Sequence, residues 1–153
     1  MPPQPISFTV HDDVPADEGQ QVDTGLGEAN EAAAPMHEVC ALSAFARLDS
    51  GGAIGGVIGG AVGRTWGACC ELQQLWVEPA HRGKGIGARL VREFERRAHE
   101  RGCRTFYLET FSFQAPSLYR ALGYRVAHEI HGFAPGIVKY LMVRTTGTDR
   151  SGD

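Results

Sequence analysis

The stretch "HRGKGIGARL", His81–Leu90, decides how this chain is read. Two basic residues, Arg82 and Lys84, are interleaved with Gly83, Gly85 and Gly87 just where a helical pattern begins. Glycine costs a helix about 1 kcal/mol relative to alanine, so a first turn this rich in it implies a need for bare backbone, either for a tight turn or for a bound anion. Downstream, Ile86, Leu90, Phe94 and Ala98 recur every fourth residue and Val91 widens the stripe, while arginines and glutamates take the other face. That pattern predicts an amphipathic helix, with Glu93 and Arg97 as an i,i+4 pair and Gly102 as its stop. Upstream, "CCELQQLWVEP" reads as a strand ended by Pro79.

A strand running into such a helix leaves free N–H groups at the positive end of the helix dipole, a natural phosphate site. Bulk at Gly83, Gly85 or Gly87 would hold the oxygens off, and Arg82 and Lys84 add charge at the rim. Neither familiar nucleotide loop fits. A Walker A loop needs Ser or Thr after its lysine and Lys84 is followed by Gly85; a dinucleotide GxGxxG starting at Gly85 would need glycine at Leu90.

The rest of the chain sets the frame. Its 153 residues, 42% hydrophobic and 22% charged, suit a single domain with a real core, expected over 1–145 with a disordered tail over 146–153. No basic-then-apolar leader opens the sequence, and no apolar run nears the roughly 18 residues of a membrane span, so a cytoplasmic location without membrane or nucleic-acid partners is expected. Cys40, Cys69, Cys70 and Cys103 include no CxxC pair, which suits reduced, mostly buried thiols rather than zinc or disulfides. His128 and His131 would point to opposite faces of a strand, so no metal site is expected. Net charge is −3, yet no Lys or Arg precedes Arg47, and Arg82–Arg104 is strongly basic. These blocks read as a cation-attracting flank and an anion-holding segment, or as solvated helix faces.

Along the chain, Ile6, Phe8 and Val10 alternate like a strand, and a weak helix follows from about Pro15 to Ala33. Val39–Leu48, the turn signal "DSGG" and Ala53–Val62 predict a hairpin, whose glycines at four-residue spacing suggest a strand covered closely by a neighbour. Thr105–Thr110 is a strand, Pro116 opens a short helix closed by Gly123, and Tyr124–Ile130 and Ile137–Arg144 are two more strands. The fold class is α/β with a mixed, mostly antiparallel sheet of six to seven strands and helices on both faces.

The arrangement Arg82-x-x-Gly85-x-Gly87-Ala88 behind "LWVEP", followed by "ETFSFQAPSLYRALGYRV", resembles the GNAT superfamily of acyl-coenzyme A N-acyltransferases over about Ala53 to Arg144. The resemblance implies that Arg82, Gly83, Lys84, Gly85, Ile86, Gly87 and Ala88 cradle the pyrophosphate of acetyl-CoA, and that Leu75 and Val77 line its pantetheine arm with the Val77 amide near the thioester carbonyl. It also implies that Tyr119 protonates the departing thiolate. Read on its own, Tyr119 would simply pack beside Leu118 and Leu122. Glu71 resembles in position the glutamate that serves some of these enzymes as base; its even spacing from Val77 predicts a shared strand face, and a solvent-facing strand glutamate is the competing reading. Gln73 on that face, Glu109 and Gln114 are candidate acceptor contacts, and Trp76 is expected in the core.

An amine with a pKa of about 10.4 is protonated at neutral pH, so a base or a desolvated site must free its lone pair. The function implied is N-acetyl transfer to a primary amine of a small molecule or peptide by direct attack. A non-catalytic acyl-CoA sensor and a nucleotide-binding regulator are the alternatives. Dimers are common among proteins of this resemblance, and the sequence leaves the oligomeric state open.

Overall fold

A glycine-rich strand is a poor strand former unless something must come close to it, and here a helix does. The computed structural model describes residues 1–49 and 54–147. The chain divides into two compact units, Met1–His37 and Glu38–Asp153. In the first unit, α1 spans Ala16–Ala33. It starts behind Pro15, carries Asp17 and Glu18 in its first turn where they complement the helix dipole, and ends as the Ala34 N–H donates to the Asn30 carbonyl. The alternation of Ile6, Phe8 and Val10 does not give a strand. Pro2, Pro3 and Pro5 remove backbone donors from that segment, and all six strands of the sheet lie beyond it.

The second unit contains β1 (Cys40–Asp49), β2 (Ile54–Trp66), β3 (Cys69–Val77), α2 (Ile86–Glu100), β4 (Thr105–Phe111), α3 (Pro116–Ala121), β5 (Arg125–Ile130) and β6 (Lys139–Thr145). The strands form one mixed sheet in the order β1-β2-β3-β4-β6-β5, antiparallel throughout except where β3 meets β4. The expected turn "DSGG" falls largely outside the described residues, as does 148–153 of the expected tail; Thr146 still donates its N–H to the Arg104 carbonyl at 2.9 Å.

On α2 the expected stripe is the buried one, with Leu90, Val91, Phe94 and Ala98 inside. Each fully buried side chain of the size of Phe94 contributes about 1.5–3 kcal/mol. Leu90 and Phe94 lie directly on β2: a Cβ at Gly59 would be 3.1 Å from Leu90 Cδ1, and one at Gly63 would be 2.9 Å from Phe94 Cζ and 1.9 Å from the Glu71 carbonyl oxygen. The solvent face pairs differently from expectation. Glu93 holds Arg96 and Arg97 holds Glu100, both i,i+3.

Across the far side of the core, Glu95 of α2 pairs with Arg144 of β6 and accepts the Tyr124 hydroxyl at 2.8 Å. The Arg144 guanidinium lies 4.6 Å over the Phe106 ring. This cluster ties α2 to β6 and to the chain just after α3.

Gly63→Ala is expected to destabilise the protein by about 3 kcal/mol, because the methyl meets backbone and not a side chain able to swing away. Gly56→Ala, with open space at the same atom, should stay near wild type. Urea unfolding of the two variants compares them, and equal stability would refute the close approach of the β3 backbone to Gly63.

Candidate active site

β3 and β4 pair in parallel only from Cys69–Thr105 to Leu72–Leu108, although β3 runs on to Val77 and β4 to Phe111. Immediately after the last pair, β3 bulges. Gly63 opposes Leu72 but Val62 opposes Gln74, which leaves Gln73 as the extra residue. The strands therefore splay, and a cleft of about 950 Å³ opens between the end of β3, the start of α2, and α3.

The bulge also corrects a face. Leu72, Leu75 and Val77 turn toward the core, whereas Glu71 lies beside Arg64 on the opposite side of the sheet. The even spacing of Glu71 and Val77 thus does not put them on one face, because the extra residue shifts the alternation by one. Trp76 is 50% exposed, not core, and lines the cleft.

Leu75, Val77, Arg82, Gly83, Gly85, Ile86, Gly87 and Ala88 all line this cleft; Lys84 is exposed and does not. A short turn at Pro79–His81 carries the chain from β3 to the helix. Arg82 folds back so that its Nε donates to the Val77 carbonyl at 2.9 Å, bracing the loop against the strand end. Gly83 and Gly85 both have φ of 78°, a left-handed conformation that glycine adopts without strain. Gly85 is the N-cap of α2 and supplies no side-chain acceptor. Among the described residues nothing accepts from the N–H groups of Gly85, Ile86, Gly87 and Ala88; the first internal helix bond is Arg89 N–H to the Gly85 carbonyl. Four adjacent donors, free of any covering side chain at the positive helix end, fit a diphosphate.

On the facing wall, α3 begins at Pro116 and closes through Gly123 at φ 97°, with the Tyr124 N–H donating to the Tyr119 carbonyl at 2.9 Å. Tyr119 is buried yet lines the cleft, its ring edge-on to Tyr124 at 5.9 Å. Burial pushes its phenol up to about 12. Its hydroxyl has no partner among the described residues, so a protonated donor faces the cleft over the whole neutral range.

Gln73, Glu109 and Gln114 line the cleft and also a smaller adjoining hollow of about 330 Å³, which Glu71 enters from its own face. Glu71 Oε2 takes the Tyr107 hydroxyl at 3.0 Å and Arg64 at 3.2 Å, leaving Oε1 without a partner among the described residues. Burial, and then the bond to Glu71, raise the Tyr107 phenol, so it remains the donor. Gln114 is occupied in structure: its Oε1 accepts the Phe111 N–H at 2.8 Å and the Thr110 hydroxyl at 3.3 Å, fixing the turn after β4. Glu109 pairs with Lys139 at 2.8 Å.

Phe111, Phe113, Tyr107 and Lys139 were not singled out by the sequence. Tyr107 could have been found only from the parallel register Glu71–Tyr107, which no local pattern encodes. "FSF" at 111–113 did carry a signal, two aromatics flanking a serine just beyond a strand that ends in Glu109 and Thr110.

The profile described as the acetyltransferase (GNAT) family matches residues 16–124, and the chain belongs to that family. Blasticidin-S acetyltransferase of Streptomyces morookaense is 45% identical over 71 residues, 46% of this chain and 52% of that relative. Streptothricin acetyltransferase of Streptomyces lavendulae is 38% identical over 61 residues, 39% of this chain and 32% of that protein. The chain thus spans about half, or less, of the length of these curated relatives. In fold it is similar to an acetyltransferase from Bacillus cereus, with a TM-score of 0.74 at 24% identity over 90% of this chain and 98% of that one. It is also similar to yncA of Salmonella typhimurium, solved with its cofactor acetyl-CoA, with a TM-score of 0.52 at 24% identity over 65% and 64% of the two chains.

Gly85→Ala forces an L residue into the left-handed region and is expected to cost about 1–2 kcal/mol. Gly87→Ala, at a helical position where the new methyl would find Leu118 Cδ2 at an ordinary 3.6 Å, should match or exceed wild-type stability. Thermal unfolding separates the two; equal losses would mean that backbone conformation does not govern this loop.

Proposed function

We propose that the chain is an acetyl-CoA-dependent N-acetyltransferase that moves the acetyl group to a primary amine of a small molecule or peptide by direct attack. The observation that carries this reading is the meeting of two features in one cleft: the unpartnered N–H run from Gly85 to Ala88, and the protonated Tyr119 across from it. Relatives named for acetylating blasticidin-S and streptothricin support a small-molecule acceptor.

Acetyl-CoA supplies the thioester. Backbone donors at the start of α2 bind its diphosphate, with Arg82 and Lys84 adding positive charge, while Leu75 and Val77 give an apolar wall for the arm and exclude water. The amine lone pair forms the C–N bond as the C–S bond breaks. Tyr119 gives its hydroxyl proton to the sulfur and Glu71 Oε1 takes the proton leaving nitrogen, so the products are the amide and the free thiol. A phenol raised to about 12 is a weak acid beside an aqueous thiol of about 8.5. The same burial strips hydration from a thiolate formed next to it, which raises that thiol in turn and narrows the gap. Gln73, Glu109 and Gln114 border the space for the acceptor.

Tyr119→Phe is expected to lower kcat about tenfold or more with acetyl-CoA affinity nearly unchanged, measured by thiol release and calorimetry. Unchanged turnover would take Tyr119 out of the mechanism. Glu71→Gln should lower kcat/KM by a similar factor of about ten near neutral pH, and the deficit should shrink as pH rises toward the acceptor's own pKa, where solvent removes the proton. A deficit independent of pH would assign Glu71 to positioning instead. Gly85→Glu should abolish acetyl-CoA binding, since it fills the phosphate site with a like charge; retained binding would overturn the cradle.

A further inference from the structure

The acceptor end of the cleft has two features that amide transfer does not require. Beside Glu109, the rings of Phe111 and Phe113 stack at 5.2 Å with planes 9° apart, and Phe133 from the β5–β6 loop meets Phe111 edge-on at 5.3 Å. Phe113 and Phe133 are nonetheless 67% and 50% exposed. Phe111 lines the hollow and Phe113 the cleft, and Phe133 joins them through its contact with Phe111; apolar rings left in water beside such a site mark a surface that a ligand covers. The second feature is Lys139, whose Nζ is 2.8 Å from Glu109 and 5.5 Å from the centroid of Phe111. A carboxylate with a ring face beside it is how an ammonium ion is bound, and here the chain fills that position itself. The other carboxylate of the hollow, Glu71, is neutralised by Arg64.

We infer that the acceptor is an amine carried on a flat aromatic or heteroaromatic ring, which stacks on the exposed Phe113 with Phe133 at its side, and that Lys139 excludes aliphatic polyamines by occupying the cation position at Glu109. This rests on the acetyltransferase reading. A polyamine meets no unpaired charge in the hollow, and its second ammonium is repelled by Lys139. A planar amine needs no second charge site and covers the exposed rings.

The test uses the full chain with tryptamine and cadaverine as acceptors. Acetyl-CoA binding is followed by calorimetry, acceptor binding to the CoA-loaded protein by ligand-observed NMR, and transfer by thiol release. Tryptamine is expected to bind and react with kcat/KM at least about tenfold above cadaverine. Phe113→Ala and Phe133→Ala, both exposed positions that leave the core intact, should raise the tryptamine KM about tenfold with kcat and acetyl-CoA affinity within about threefold of wild type. Lys139→Met should raise kcat/KM for cadaverine about fivefold or more by freeing Glu109. Cadaverine preferred over tryptamine, indifference of tryptamine to both Phe substitutions, or no NMR response of tryptamine on a protein that binds acetyl-CoA would each overturn the inference and leave the acetyltransferase reading standing. Failure of acetyl-CoA to bind would overturn both.

Discussion

The parting of β3 from β4 after Leu72 and Leu108 is the constraint on which the rest of the second unit depends. A parallel pair that stopped there by accident would leave two backbone edges bare. Instead the bulge at Gln73 turns β3 outward, and each side of the gap is closed by a different helix. The start of α2 closes one side with N–H groups, and α3 closes the other with Tyr119. Gly63 permits this. Opposite the bulge, it lets the Glu71 carbonyl and the Phe94 ring come closer than a side chain would allow, so the sheet bends there while α2 stays seated. Strand geometry, helix packing and cleft formation are thus one device at one point of the sheet.

Much of this was legible in the sequence, and the reasons differ by element. The boundaries of α2 could be read because its stripe, its glycine N-cap and Gly102 agree with one another. The loop before α2 could be read because a conformation with φ above zero is written in glycine, as at Gly83 and Gly85. Tyr119, singled out by the family resemblance of "SLYRALGY", lines the cleft. The faces of β3 could not be read. A bulge is specified by what lies on the neighbouring strand, so counting residues from Glu71 to Val77 gave the wrong side. The same limit hid the Glu71–Tyr107 contact and the Glu95–Arg144 pair, which join residues 36 and 49 positions apart. Ile6 to Val10 misled for the opposite reason: the local pattern was right for a strand, but a strand needs a partner, and prolines interrupt its beginning.

The charges around the gap are sorted by the sheet into two surfaces. Toward α2 the cleft offers backbone dipoles and Arg82, all positive ends, suited to an anion. Toward the hollow it offers Glu71 and Glu109, each already matched with a cation of the same chain. The second surface is therefore polar but close to neutral. The acidic character of residues before Arg47, which the sequence alone ties to cation attraction, has no counterpart in unpaired acid within the hollow.

Tyr119 sits on a helix of six residues, too short to hold itself in water. Its position is fixed from outside. Pro116 sets the entry, Gly123 turns the chain, and Tyr124, bonded to Glu95, sets its ring against that of Tyr119. Burying Glu95 with Arg144 is expensive unless the remaining polar atoms are met, and Arg144 Nε is a buried donor without a hydrogen-bond partner among the described residues. The Phe106 ring beneath the guanidinium offsets part of that cost through its π face. An apolar pair of the same volume would give comparable stability but would leave the Tyr124 hydroxyl without the acceptor it has in Glu95. The charged cluster supplies that acceptor, and so fixes the Tyr124 ring against which Tyr119 packs.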